Sequence, residues 1–257
     1  MTNFREKQIL EILSKKKYLT LTQLSKLLYV SESTVRRDVS ALEKKGMVRR
    51  TKGGVSLLRL EETEASREFK IMEHSEEKKR IAQLAIDFIG NNQMIFLDSS
   101  TTSYYLALEI LKMEELVDLR VITTNLSGGI RLSSNENIDV SLPGGKIYKK
   151  GESILGIETY DYLSKYYFDV AFMSCRGISD SFGFSEFTHG ESLIKEVVAK
   201  NSNQTVMLVD QSKFDHSFPY RSLQFDQIDF VVTDSPVSDK YKLSFADSKI
   251  EVLSPLE

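Results

Sequence analysis

Ser31-Glu32-Ser33-Thr34-Val35-Arg36-Arg37-Asp38-Val39-Ser40-Ala41-Leu42 has the pattern of one short helix with two unlike faces. Ser31 can cap it, its hydroxyl accepting a hydrogen bond from a first-turn amide that has no partner within the helix. Val35, Val39 and Leu42 recur at spacings of four and three, so they share a buried stripe. Ser33, Arg36, Arg37 and Ser40 lie on the other faces. Taken alone, an Arg-Arg pair reads as a solvated charged face. An apolar back with small hydroxyls and paired guanidiniums in front also suits the DNA major groove. There hydroxyls bond phosphate or base, and a guanidinium grips phosphate or the edge of guanine. The neighbouring sequence decides between the two readings.

Upstream, Asn3 can cap a first helix with Phe4, Ile9, Ile12 and Leu13 as its apolar positions and Lys15-Lys16-Lys17 at its negative dipole end. Thr20 or Thr22 can open a second helix carrying Leu24, Leu27 and Leu28, and Tyr29-Val30-Ser31 makes a tight turn. This order is that of a helix-turn-helix, with residues 31–42 as the reading helix. Downstream, Gly46 stops the reader. Residues 47–51 and 55–58 then form two short strands joined through Lys52-Gly53-Gly54, a basic wing. Charge agrees. Residues 1–58 hold 13 Lys+Arg and 5 Asp+Glu, a net +8 in a chain of net −3, which leaves −11 on residues 59–257. A basic head on an acidic body is the asymmetry of a nucleic-acid module joined to something else.

Residues 34–39, Leu42-Glu43, Gly46 and 49–54 resemble the N-terminal signature of DeoR-type bacterial transcriptional regulators. The resemblance implies a winged helix-turn-helix over 1–58. Its expected DNA contacts are Ser31, Ser33, Thr34, Arg36, Arg37, Ser40, Arg49, Arg50, Lys52 and Gly53. The family usually carries His where Lys52 stands, which assigns Lys52 to phosphate rather than to a base.

Residues 59–74 are mostly charged and read as a connector, with Phe69 expected to dock on the domain that follows. Residues 75–257 are enough for one domain with its own core. Ser75 is expected to cap a helix reaching Ile89. β runs follow at 94–97, 120–123, 138–142, 170–173, 205–209 and 230–232, alternating with amphipathic stretches. That alternation predicts an α/β class: a Rossmann-like, mostly parallel sheet covered on both faces.

The chemistry-bearing residues sit just after those runs: 98–103, Thr124-Asn125, Gly144-Gly145, 174–177 and 210–213. Strand ends of an open parallel sheet converge on one crevice. A hydroxyl run at a helix start can offer OH groups and amides to a phosphate, and Arg176 and Lys213 can balance its charge. Singly, these motifs read as a cap, a turn and surface charges. The same residues resemble the sensing domain of DeoR-type regulators, which is related to sugar-phosphate isomerases and typically senses phosphorylated sugars. The resemblance implies an effector site at Asp98, Ser99, Ser100, Thr101, Thr102, Thr124, Asn125, Gly144, Gly145, Arg176, Gly177, Glu191, Asp210 and Lys213. The family often has Gly where Ser100 stands.

One cysteine, Cys175, excludes an internal disulfide, and the three histidines have no ligand spacing, so neither a metal nor a cofactor is expected. A phosphate-loop or dinucleotide fingerprint is missing, as is a membrane-length apolar run, and a cytoplasmic protein is expected. The expected function is a repressor of sugar-metabolism genes that binds double-stranded operator DNA as a homo-oligomer (dimer or tetramer). A phosphorylated sugar would release it, with ligand-dependent activation left open. The alternative is an isomerase-like enzyme with an attached DNA-binding domain and Glu191 or Asp210 as base. Glu191 also reads as a first-turn helix acid, and shared ancestry of a fold does not carry its chemistry.

Overall fold

A computed structural model describes residues 4–16, 18–45, 47–51, 53–57 and 67–255. Contacts divide the chain into two units, Met1–Glu73 and His74–Glu257. In the first unit the elements run α1 (Phe4–Lys16), β1 (Tyr18–Leu19), α2 (Leu21–Leu28), α3 (Glu32–Lys44), β2 (Val48–Thr51), β3 (Gly54–Leu57) and α4 (Arg67–Met72). Thr20 opens α2 with a reciprocal cap: its hydroxyl accepts from Gln23 N at 3.1 Å while its amide donates to Gln23 Oε1 at 2.9 Å. Between α2 and α3 the chain turns through Tyr29 in the left-handed region, φ 54°. Val35, Val39 and Leu42 of α3 are fully buried, together with Ile9, Leu13 and Leu24. At ~1.5–3 kcal/mol per buried aliphatic side chain, that stripe fixes which way the reading helix faces.

Three expectations change here. Phe4 is 77% exposed and Leu27 43%, so neither belongs to the core. Phe69 of α4 packs into the first unit's own core beside Ile9, Leu19 and Val55 rather than onto the following domain. Phe69 and the partly buried Met72 thus complete the core of the small head. Asn3, Lys17, Gly46, Lys52 and Leu58 lie outside the described residues.

The second unit runs α5 (Ser75–Ala85), β4 (Met94–Leu97), α6 (Thr101–Ile110), β5 (Leu119–Thr123), α7 (Leu126–Leu132) and β6 (Ile138–Ser141). It continues with β7 (Lys146–Tyr148), β8 (Ser153–Leu155), α8 (Ile157–Leu163), β9 (Phe168–Met173), β10 (Gly177–Ser179), β11 (Gly183–Glu186) and α9 (His189–Lys200). Then come β12 (Ser202–Leu208), β13 (Tyr220–Leu223), β14 (Phe230–Val232), α10 (Asp239–Asp247) and β15 (Glu251–Leu253). Seven strands form one sheet in the order β15-β14-β12-β9-β4-β5-β6, every pair parallel. Continuous apolar runs such as Ile95-Phe96-Leu97 and Val206-Met207-Leu208 are buried, as strands covered on both faces require. From β4 the chain steps to β5 and β6 on one side, while β9, β12, β14 and β15 build the other. The order therefore reverses between β4 and β9, and the crevice of such a sheet opens there.

His74, not Ser75, holds the cap position of α5, in the left-handed region at φ 52° and with no side-chain cap. The helix ends at Ala85 and passes into one 3-10 turn, Ile86–Phe88. Three additions in this unit were not read from sequence: the edge strand β15, the hairpin β7–β8 and the antiparallel sheet β10-β11-β13.

Candidate nucleic-acid interface and candidate effector site

In α3, Arg36, Arg37 and Ser33 are exposed and Thr34 and Ser40 half-buried. Ser31 accepts from Thr34 N at 3.2 Å and lies 2.9 Å from Ser33 Oγ and 2.8 Å from Thr34 Oγ1, so the helix start is a small cluster of hydroxyls. Arg49, Arg50 and Gly53 are exposed on the wing. Arg50 is fastened to the reader: Nη1 donates to Ser40 Oγ at 3.1 Å and its amide to Glu43 Oε1 at 3.3 Å. Reader and wing therefore present one joined cationic face.

Two ion pairs that the sequence did not disclose hold α3 in place. Asp38, buried on the back of the reader, takes both Nε and Nη2 of Arg5 from α1, a forked pairing. Lys45 Nζ donates to the buried Glu6 at 2.7 Å. Arg5 and Asp38 are 33 residues apart, so no local pattern links them.

At the C-terminal edge of the sheet the strand ends meet through backbone and side-chain bonds. Asp98 after β4 is buried and both its oxygens are engaged: Oδ1 accepts from Ser100 N (3.0 Å) and Ser103 Oγ (2.6 Å), Oδ2 from Ser174 N (2.9 Å). Ser100 caps α6 through Ser103 N at 3.0 Å. The first-turn amides of Thr101 and Thr102 have no intrahelical acceptor. Asn125 caps α7 through Gly128 N at 3.0 Å and donates from Nδ2 to the carbonyls of Ser100 (2.9 Å) and Asp98 (3.3 Å). Asp98 and Asn125 thus shape the loop 98–102 with their own polar atoms. Thr124 is buried beside them, its carbonyl accepting from Ile154 N at 3.0 Å, which ties hairpin β7–β8 to the same edge.

Gly144 and Gly145 lead into that hairpin and are exposed. A Cβ on Gly144 would meet nothing within 4 Å, whereas one on Gly145, at φ 146°, would sit 2.2 Å from Thr159 Oγ1. Gly177 is pinned in the same way, its Cβ position 2.5 Å from the His216 carbonyl oxygen. Gly145 and Gly177 are needed by the fold itself.

Lys195 of α9, absent from the sequence expectations, joins these parts. Its buried ammonium lies 3.2 Å from Asp98 Oδ2 and bonds the Glu186 carboxylate and the Ser174 carbonyl. Burial alone would lower its pKa, but Glu186 and Asp98 hold it above the ordinary lysine value. Burial pushes the Glu186 carboxyl up to about 7, against the pull of Lys195. Asp98 stays below the usual range despite burial because Lys195 and its donors Ser100, Ser103 and Ser174 favour the carboxylate. Glu191 accepts from Thr188 Oγ1 at 2.8 Å in the first turn of α9 and adds negative charge near Glu186, and Arg176 adds positive. Burial pushes the Cys175 thiol up, so it is not a reactive thiolate.

After β12, Asp210 is buried and one oxygen, Oδ1, accepts from Ser212 N at 3.0 Å. Its Oδ2 has no hydrogen-bond partner among the described residues and faces Lys213 Nζ at 3.7 Å. Burial opposes the charge on Asp210, but Lys213, Ser212, Lys78 and His74 hold its pKa low. Ser153 of β8, bridged to Asn125, is likewise buried, and its hydroxyl has no hydrogen-bond partner among the described residues.

The family model for the DeoR C terminal sensor domain matches residues 73–235, and that for the DeoR-like helix-turn-helix domain matches residues 5–60. The chain belongs to the DeoR family. Its relatives include the HTH-type transcriptional regulator GolR of Listeria innocua, 33% identical over 96% of both chains. The HTH-type transcriptional repressor GlcR of Bacillus subtilis is 31% identical, covering 88% of this chain and 86% of its own. The glycerol-3-phosphate regulon repressor of Escherichia coli is 28% identical over 90% of each. This DeoR-family chain is a DNA-binding transcriptional regulator. Its relatives are named as regulators and repressors, so the isomerase alternative is set aside. No helix among the described residues is long and apolar enough to cross a membrane.

Proposed function

We propose that this DeoR-family regulator is a repressor released from its operator by a phosphorylated sugar held at the C-terminal edge of the parallel sheet. The carrying observation is the pairing of two demands at one edge. The first-turn amides of Thr101 and Thr102, with Ser99, Ser100, Arg176 and Lys213, suit a phosphate. Asp210 Oδ2 is a buried acceptor with no hydrogen-bond donor among the described residues, and a sugar hydroxyl is the donor that suits it. β4 and β12 flank β9, so their ends stand about 10 Å apart. That is a span a phosphorylated sugar bridges and an inorganic anion does not. Asp98, Asn125, Gly145, Gly177 and Glu191 act by shaping the edge; Thr124 and Gly144 lie along it. The relative named as a glycerol-3-phosphate regulon repressor supports a phosphorylated polyol as the ligand class.

On the DNA side, Ser33, Arg36, Arg37, Arg49, Arg50 and Lys52 contact phosphates and base edges of repeated half-sites, presented by at least two subunits in the compartment that holds the DNA. The ligand weakens binding by favouring the subunit arrangement in which the heads no longer match the operator, through unequal affinity for the two arrangements. A thermal-shift panel tests the ligand class. Phosphorylated pentoses, hexoses and polyols should include one that raises the melting temperature, while its dephosphorylated form and inorganic phosphate do not. A panel in which only unphosphorylated sugars stabilise the chain would refute the proposal.

A further inference from the structure

We infer that Tyr18 is a further DNA-contacting residue, its phenol hydroxyl donating to a backbone phosphate beside the wing tip. β1 is only two residues long and is pinned to β3 by the pairs Tyr18↔Ser56 and Leu19↔Val55. Alternation along it buries Leu19 and turns Tyr18 outward, 46% exposed. The phenol reaches along the wing to its turn. A Cβ on Gly53 would lie 2.9 Å from the Tyr18 hydroxyl oxygen, and one on Gly54 2.8 Å from it. The bare backbone of the two glycines is therefore what lets the hydroxyl sit at the tip. A Cβ on Gly54 would also come within 2.3 Å of the Leu19 carbonyl oxygen, so β1 and the wing turn are held in one position relative to each other.

That hydroxyl makes no hydrogen bond to any described residue. It is a donor, unspent among the described residues, beside the wing whose strand β2 carries the exposed Arg49, Arg50 and Thr51. A phenol is neutral, accepts and donates, and loses little rotamer freedom when it binds. Its natural partner on duplex DNA is a phosphate oxygen, a contact that positions the protein without reading sequence.

This inference rests on the DNA-binding activity of the family, and one experiment separates the two. The full chain and its Tyr18→Phe variant are titrated onto a fluorescein-labelled mixed-sequence duplex of about 30 base pairs, by anisotropy at several salt concentrations. Tyr18→Phe should bind about tenfold more weakly at every salt concentration, the loss of one hydrogen bond to an ionised group. Its salt slope should match the wild type, because a neutral donor displaces no counterion. Arg49→Gln, by contrast, should flatten the slope. The Tyr18→Phe variant should melt within a degree or so of the wild type. Equal binding by Tyr18→Phe and wild type overturns the inference. So does a loss of affinity accompanied by an equivalent fall in melting temperature, which would assign the hydroxyl to folding. A wild type that ignores duplex at low salt would instead fail the DNA-binding reading itself.

Discussion

Replacing Lys195 by Met removes one ammonium from a site where it holds two carboxylates and a carbonyl. Breaking a buried ion pair by deleting one partner typically costs 3–5 kcal/mol, because the other charge is left without compensation. Here the two carboxylates fare differently. Asp98 keeps three donors, Ser100 N, Ser103 Oγ and Ser174 N, and remains charged. Glu186 loses its main partner, but its carboxyl already titrates at about 7, so it escapes by taking a proton. The cost near neutral pH should therefore fall at the low end, about 3 kcal/mol. In a unit of this size that lowers the melting temperature of the C-terminal transition by about 6–12 °C.

The pH dependence has a definite sign. A carboxyl whose folded pKa is raised gives a contribution present below its unfolded value and lost as pH rises through its folded value. In the wild type that loss runs from the ordinary value of 4.5 up to about 7 and levels off above it. Without Lys195 the folded value moves higher, so the variant keeps losing stability at pH values where the wild type has levelled off. Calorimetry of the full chain at roughly pH 6 and pH 8.5 should show the gap between the two proteins wider at the higher pH. A variant within about 1 kcal/mol of the wild type, or a gap independent of pH, would refute the assignment of Lys195 as the buried counter-ion.

Gly145→Ala should destabilise the C-terminal unit by about 2–3 kcal/mol, since a side chain there meets both a left-handed backbone and the Thr159 hydroxyl. Gly144→Ala should change stability by less than about 0.5 kcal/mol, and chemical denaturation of the pair distinguishes them. Lys213→Ala should leave DNA affinity at the wild-type value while raising the effector concentration needed for release about tenfold or more, as loss of a charge-assisted phosphate contact implies. An unchanged effector response in an operator-release titration would move the phosphate elsewhere.

The reading helix was legible because everything that specifies it is local. Ser31, Val35, Val39 and Leu42 lie within twelve positions, and they are found as cap and buried stripe. The parallel strands were legible for a similar reason: buried on both faces, they are continuous apolar runs, and Met94–Leu97 and Phe230–Val232 begin and end where expected. What escaped were contacts over distance. Lys195 on an amphipathic helix, four residues after Glu191, looks like one half of a solvated pair. Only the fold brings Asp98 and Glu186 to it. Asp38 is indistinguishable from an exposed helix acid until Arg5 arrives from α1. β1 is too short to have a period at all, and Phe69 in a charged stretch gives no sign of which core it joins. Among the effector residues, type and strand-end position were readable. Whether a side chain is spent inside the protein, as with Asp98 and Asn125, or left with an open oxygen, as with Asp210, was not.

The most direct test measures how tightly the full chain holds an operator fragment, recovered by selection from random duplexes, as a stabilising sugar phosphate is added. Anisotropy should fall to that of free DNA along a saturable curve. The same sugar without its phosphate should leave the complex intact. Full retention of the duplex at ligand concentrations that saturate the thermal shift would contradict release by the effector, and tighter binding would reverse its sign.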